Sequence, residues 1–200
     1  MEFHEEYLKR TQETEAIVYK YMPQETGFQK TIFEAMNYSM MAGGKRLRPL
    51  LMRETYRLFG GKGTEIEPFM AAIEMIHTSS LIHDDLPCMD NDRFRRGKET
   101  AWVKYGEDMA TLAGDGLLIF AVEVAAKAFS MDADPLRVGY AIRVLAEKTG
   151  IYGMIGGQVV DVEREGQPLD KTVLDFIHEM KTSALIECSM MIGAVLAGAD

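Results

Sequence analysis

The stretch His83-Asp84-Asp85-Leu86-Pro87-Cys88-Met89-Asp90-Asn91-Asp92 holds the densest set of potential ligands in the 200-residue chain. Its acids gather where a helix should end, and a helix C-terminus already carries partial negative charge. Pro87 cannot continue a regular helix, so the chain must bulge there, which lets Asp90 fold back toward Asp84. Carboxylates held so close repel unless a divalent cation neutralises them. Hard oxygen donors with few other ligand types suit Mg²⁺ bridged to substrate phosphates; a water-exposed acidic loop is the alternative. Arg93, Arg95, Arg96 and Lys98 follow at once. Such arginines fork onto phosphate oxygens, or pair with the neighbouring aspartates in surface bridges worth ~0–1 kcal/mol each.

A second unusual stretch is Gly43-Gly44-Lys45-Arg46-Leu47-Arg48-Pro49. Pro49 suits the first turn of a helix, which places Arg48 near the N-cap, where the helix end is already positive and cations are disfavoured. Lys45, Arg46 and Arg48 crowded there make sense around a bound anion such as a diphosphate. A solvated basic turn fits the same residues, and this stretch alone leaves both readings open. A third feature lies on the stripe Leu174, Ile177, Lys181, Leu185. A lysine on that face needs an anionic partner or must snorkel to water. Gln158 and Asp161, three apart, share a helix face and could equally form a core polar contact.

The elements that position these residues read as helices throughout. The spacing predicts helices over about Phe3 to Tyr21, Phe28 to Met41, Pro49 to Phe59 and Glu65 to Asp85. More follow over Asp108 to Phe129, Asp134 to Lys148, Tyr152 to Glu165 and from Asp170 onward. On the fourth, Phe69, Ile73, His77, Ser80 and Asp84 follow one face that passes from apolar to small to acidic. Asp134-Pro135 reads as an N-cap followed by the first helical position. No strand-like alternation, repeat or linker interrupts the pattern, so residues 1–200 are expected to form a single all-α domain. The last helix shows no convincing stop before Asp200, which reads as truncation.

Composition limits the partners. Lys+Arg 22 against Asp+Glu 31 gives a net charge of -9, which argues against nucleic-acid binding. An anionic substrate would need a local basic pocket or a bridging metal. Hydrophobic residues at 47% and charged residues at 26% fit a folded soluble chain. Cys88 and Cys188 are too far apart in sequence for a paired-cysteine motif and suit a reducing cytoplasm. The charged segment Met1 to Arg10 is not a signal peptide. The longest charge-free apolar run, Cys188 to Ala199, is shorter than the ~20 residues a membrane span needs. A soluble cytoplasmic protein without membrane insertion is expected.

Taken in order, the segments resemble the trans-isoprenyl diphosphate synthases, the family of farnesyl and geranylgeranyl diphosphate synthases. The resemblance rests on residues 43–49, Glu-Met-Ile-His at 74–77, Ser-Leu-Ile-His-Asp-Asp-Leu-Pro-Cys-Met-Asp at 80–90 and Arg-Arg-Gly-Lys at 95–98. It continues through Leu-Ala-Gly-Asp at 112–115, Gly-Gly-Gln-Val-Val-Asp at 156–161 and Lys-Thr at 181–182. It implies a helical bundle around a central cavity, incomplete at the C-terminal end, and Mg²⁺-dependent head-to-tail condensation of isopentenyl diphosphate with an allylic diphosphate (dimethylallyl, geranyl or farnesyl).

By resemblance Lys45, Arg48, His77 and Arg96 bind isopentenyl diphosphate. Asp84 and Asp90, with Asp85 near, hold Mg²⁺ on the allylic diphosphate, which Arg95 grips. Lys181 and Thr182 sit over the allylic substrate, and Gln158 lies beside it. Ser79 and Ser80, about one turn of ~5 Å below the metal, would leave room for a longer tail, leaning toward geranylgeranyl diphosphate. Phe120 or Met154 could floor the tunnel instead. A homodimer is implied.

Departures from the family pattern are Arg93-Phe94 where Asp-Leu is common, Glu99 for Pro and Ser183 for Gly. The family's second aspartate-rich motif does not occur in the sequence, so little or no activity is expected of this chain alone. A class I terpene cyclase would leave the 43–49 turn and His77 without a second diphosphate. A non-catalytic partner subunit would not need Asp84, Asp85 and Asp90.

Overall fold

The computed structural model describes residues 2–199. Its helices run in the order expected: α1 (Glu2–Lys20), α2 (Lys30–Met40), α3 (Leu47–Leu58) and α4 (Ile66–Asp84), then α5 (Ala101–Tyr105) and α6 (Glu107–Ala126). α7 (Pro135–Thr149), α8 (Met154–Glu163), α9 (Lys171–Ile177) and α10 (Ala184–Ala197) complete the set. The all-α reading holds. Asp134 caps α7 as expected, its side chain accepting from the Leu136 N–H, with Pro135 in the first turn.

α4 is the central element because it is apolar nearly all round. Phe69, Met70, Ile73, Met75 and Ile76 are fully or almost fully buried, the pattern of a helix with neighbours on every side. α6 packs along it, with α1, α2, α3 and α10 around the rest, while α10 also packs on α3 and α7. Each large side chain buried this way contributes ~1.5–3 kcal/mol relative to exposure.

Four local differences from the sequence reading have physical causes. Residues 94–99 form a two-stranded hairpin pairing Phe94 with Glu99 and Arg95 with Lys98. Arg96 (φ 54°) and Gly97 (φ 76°) make its two-residue loop, a turn whose twist matches the strands and which periodicity cannot reveal in so short a segment. The short α5 precedes α6 and is separated from it by Gly106. The helix expected from Asp170 onward is divided by a π-helical turn, His178–Ser183, between α9 and α10. The expected stripe is realised only in part: Ile177 and Leu185, on either side of that turn, are buried, while Leu174, ahead of it in α9, is 38% exposed. The last helix, α10, also has a C-terminal cap. Gly198, at φ 97°, takes the left-handed cap position, and Ala199 N–H returns to the Ala194 carbonyl at 3.0 Å.

Two helical stretches, Glu107–Ser130 and Lys171–Ala197, are long and apolar enough to cross a membrane. Charges such as Glu123 and Lys127 in one and Lys181 and Glu187 in the other interrupt them, so neither forms a charge-free run. Both contribute to the core, through Ala113, Leu117, Ala121 and Val124 on one and Leu185, Cys188 and Ile192 on the other.

Candidate active site

A cavity of ≈ 820 Å³ opens between α4, α6, α8 and the π turn. Arg48 and His77 line one wall, Asp84, Gln158, Lys181 and Thr182 the other, and Ser79 and Ser80 also face it. The basic stretch and the acidic helix end therefore share one space.

The basic wall is built by the turn before α3. Arg46 is the N-cap, in a left-handed conformation with φ 47° and ψ 34°. Its guanidinium points away from the cavity into the protein, where it meets Glu74 at 2.8 Å and Glu15 at 3.0 Å. Arg46 thus corrects the sequence reading that grouped it with Lys45 and Arg48 around an anion. Arg48 does line the cavity, and its Nε is buried with no hydrogen-bond partner among the described residues. Burial lowers the pKa of Arg48, the Arg96 charge acts in the same direction, and Glu74 opposes them. Burial first, then the Arg48 and Arg96 charges, push the His77 imidazole down to about 3, so it is neutral near pH 7. Lys45 and Arg96 are exposed and stand outside the cavity lining. Arg96 donates to the Gly43 carbonyl, closing the hairpin against the basic turn.

The acidic wall follows the end of α4. Asp90 N–H donates to the Asp84 carbonyl at 2.9 Å, so the loop folds back as the proline predicts. Asp84 faces the cavity and accepts from the Gln158 amide at 2.9 Å. Burial raises its pKa, while Lys181 opposes the rise. Asp85 turns elsewhere. Successive helix residues diverge by about 100°, and Asp85 is 4% exposed, held by Arg95 at 2.6 Å.

Asp84, Asp85 and Asp90 are consequently not gathered into one cage. Among the described residues no three His, Cys, Asp or Glu side chains converge as a metal site. Arg95, expected on the allylic diphosphate, is engaged by Asp85 and, at 3.5 Å, by Asp92. The remaining donors still fit Mg²⁺. Asp84 and the folded-back Asp90 offer hard oxygens, and this ion keeps several waters and takes substrate phosphates for the rest.

Lys181 rises from the π turn and finds the anionic partner its position demanded, Asp161 at 2.5 Å. Gln158 and Asp161 do not pair with each other: one reaches Asp84, the other Lys181. α8 comes close enough for this because residue 157 is glycine. A Cβ there would stand 2.4 Å from the Lys181 backbone nitrogen. Thr182 is exposed at the rim. Ser79 and Ser80 return their hydroxyls to the Ile76 and His77 carbonyls at 2.8 and 2.9 Å, leaving small apolar surfaces toward the cavity. Met154 also lines it, whereas Phe120 does not.

Sequence reasoning missed Glu74, Glu15 and the inward course of Arg46. One signal was available. Glu74 is the only charged residue in the otherwise apolar run Phe69 to Ile76, and a carboxylate in a buried helix needs a cation. The Arg93 that departs from the family pattern is accommodated by stacking over Trp102 at 5.4 Å.

Comparison with known proteins adds independent findings. A family model described as polyprenyl synthetase matches residues 29–200. The heterodimeric geranylgeranyl pyrophosphate synthase large subunit 1 of Arabidopsis thaliana is 52% identical over 171 residues, covering 84% of this chain and 46% of that protein. The farnesyl diphosphate synthase of Geobacillus stearothermophilus is 46% identical over 172 residues, 84% of this chain and 56% of that one. The crystal structure of an FPP/GFPP synthase from Zymomonas mobilis superposes with a TM-score of 0.91 at 34% identity, covering 98% of this chain and 71% of that one. The chain spans about half the length of the curated relatives it matches.

Proposed function

The chain belongs to the polyprenyl synthetase family, and from that premise we propose that it forms the diphosphate-binding walls of a short-chain trans-isoprenyl diphosphate synthase. The observation that carries the reading is a single cavity with Arg48, whose buried Nε has no partner among the described residues, beside a neutral His77 on one wall and Asp84 and Lys181 on the other. Two anionic groups fit there, one per wall.

Arg48 and His77 would receive the diphosphate of isopentenyl diphosphate, with Lys45 and Arg96 closing on it from the rim. Lys181 and Thr182 would face the allylic diphosphate. Mg²⁺, held by Asp84 and Asp90, would neutralise that diphosphate as a leaving group and favour breaking its carbon–oxygen bond. The isopentenyl double bond then supplies the electron pair for the new carbon–carbon bond. The proton lost from the isopentenyl unit goes to the released diphosphate, the anion freed beside it when the carbon–oxygen bond breaks.

The small faces of Ser79 and Ser80 support a product at the geranylgeranyl end of the range. Pairing as a homodimer and a soluble cytoplasmic location complete the proposal. A relative named as a heterodimer's large subunit favours a second reading of the pairing, with a different chain as partner. The terpene-cyclase alternative leaves Arg48 and His77 without an anion. One aspartate-rich stretch occurs along residues 83–92, which supports weak turnover by this chain alone.

Titration calorimetry tests the assignment: isopentenyl diphosphate alone, and dimethylallyl diphosphate with Mg²⁺. Arg48→Ala should abolish the first and spare the second. A chain that binds neither diphosphate is not a synthase half-site, and the assignment fails.

A further inference from the structure

Arg46 is the most completely satisfied cation near the cavity. Beyond Glu74 at 2.8 Å, its guanidinium donates to Glu15 at 3.0 and 3.2 Å, to the Tyr19 hydroxyl at 3.0 Å and to the Met40 carbonyl at 2.8 Å. The partners come from α1, the end of α2 and α4, so this one side chain joins the three to the start of α3. The Arg46 and Glu74 side chains are 1% and 4% exposed, leaving no room for a ligand. Arg46 also holds a left-handed backbone, a conformation that a non-glycine residue keeps only when surrounding contacts impose it. That local reversal sends residue 46 inward while Arg48, two positions on, lines the cavity with Nε unpartnered.

Glu74 lies one turn before His77 on α4. The same carboxylate thus ties the basic turn to the helix that carries the other cavity residue of that wall. It is also the counter-charge within the cationic group of Arg46, Arg48 and Arg96, since it favours the charged form of each.

We infer that Arg46 and Glu74 are positioning residues, a buried ion pair that sets Arg48 and His77 in register for the diphosphate of isopentenyl diphosphate before that ligand arrives. The inference rests on the assignment of this wall as the isopentenyl diphosphate site. Breaking the pair frees the turn at 43–48 and takes from Arg46 and Arg48 their buried carboxylate counter-charge. The unpartnered Arg48 then relaxes toward water and away from His77. A buried ion pair adds little net stability compared with a well-packed apolar pair; what an apolar pair lacks is direction and charge.

The test is calorimetric titration of isopentenyl diphosphate into the wild-type chain and the variants Glu74→Gln, Glu74→Asp and Glu15→Gln, with helicity followed by circular dichroism. Expected are a loss of tenfold or more in affinity for Glu74→Gln, substantial recovery in Glu74→Asp, which keeps the charge, and a two- to threefold loss for Glu15→Gln. Wild-type affinity in folded Glu74→Gln overturns the inference and leaves the site assignment standing. Equal losses in the Gln and Asp variants also overturn it, since a packing role alone would not respond to the charge. Should Glu74→Gln unfold, Glu15→Gln decides: it removes only the half-exposed arm, and unchanged affinity there overturns the inference. Failure of the wild-type chain itself to bind isopentenyl diphosphate overturns the assignment and the inference together.

Discussion

At the basic wall, the geometry is held by a guanidinium and a carboxylate that are 1% and 4% exposed. At the acidic wall, Lys181 and Asp161 are 29% and 39% exposed, and Asp84 is held by a neutral amide. Both walls carry charges that their own helix ends disfavour, yet one is fixed from within and the other by contacts that a ligand can replace. Arg48 stands ready with nothing to release. On the proposed assignment Lys181 would exchange Asp161 for an incoming diphosphate, from a π turn whose geometry differs from the helices on either side. The fixed wall should bind with little rearrangement, and the exchangeable wall should reorganise when metal and allylic diphosphate arrive.

The sharpest way to separate the walls is Asp84→Asn. Mg²⁺-dependent binding of dimethylallyl diphosphate should fall ~100-fold, while the melting temperature holds or rises, because burial already disfavours the Asp84 charge. A comparable loss of isopentenyl diphosphate binding would show that the walls are not independent.

Next in size is Arg46→Met, which strands Glu74 and should cost about 3–5 kcal/mol in urea unfolding. The pair Arg46→Met/Glu74→Leu should recover most of that stability, as two apolar groups replace two charges. Additive losses in the double variant would contradict a direct ion pair.

The third difference is in pH dependence. The folded pKa of His77 is depressed from 6.5 to about 3, so its unfolded form binds more protons across that window. Its contribution to stability is complete above pH 6.5 and is lost as pH falls toward 3. His77→Gln should flatten the slope of unfolding free energy against pH in that window. For Asp84 the sign is opposite. Its folded pKa is raised, so its contribution is greatest at low pH and is lost as pH rises through the folded value. An unaltered slope in His77→Gln would refute the depressed imidazole.

The smallest effect expected is Gly157→Ala. The added methyl meets the Lys181 backbone and should cost ~1–3 kcal/mol, loosening Asp161 from Lys181. Isopentenyl diphosphate binding should remain within twofold of wild type; a larger change would mean that the π turn supports both walls.

Much of this was legible in the sequence because it is local. Glycine pairs, prolines and three-and-four apolar spacing place the helix ends within a few residues, and the fold-back of Asp90 follows from Pro87. Glu74 was legible in principle as a lone carboxylate among apolar residues. The hairpin at 94–99 and the π turn were not, since two-residue strands and a single inserted helical residue leave no period to read.

What the sequence determined by itself is the inventory and its order: a basic turn, an acidic helix end and a lysine on a late helix, all on α-helices. What tertiary structure decided is which member of each cluster faces the cavity. Arg46 and Arg48 are two apart and Asp84 and Asp85 are adjacent, with the same chemistry within each pair. Asp85 turns its side chain about 100° from Asp84, Arg46 is sent inward by its left-handed backbone, and partners on other elements, Glu74 for Arg46 and Arg95 for Asp85, neutralise the ones that turn away. Direction and pairing are properties of the packed helices, and only the remaining Arg48 and Asp84 are left to face a ligand.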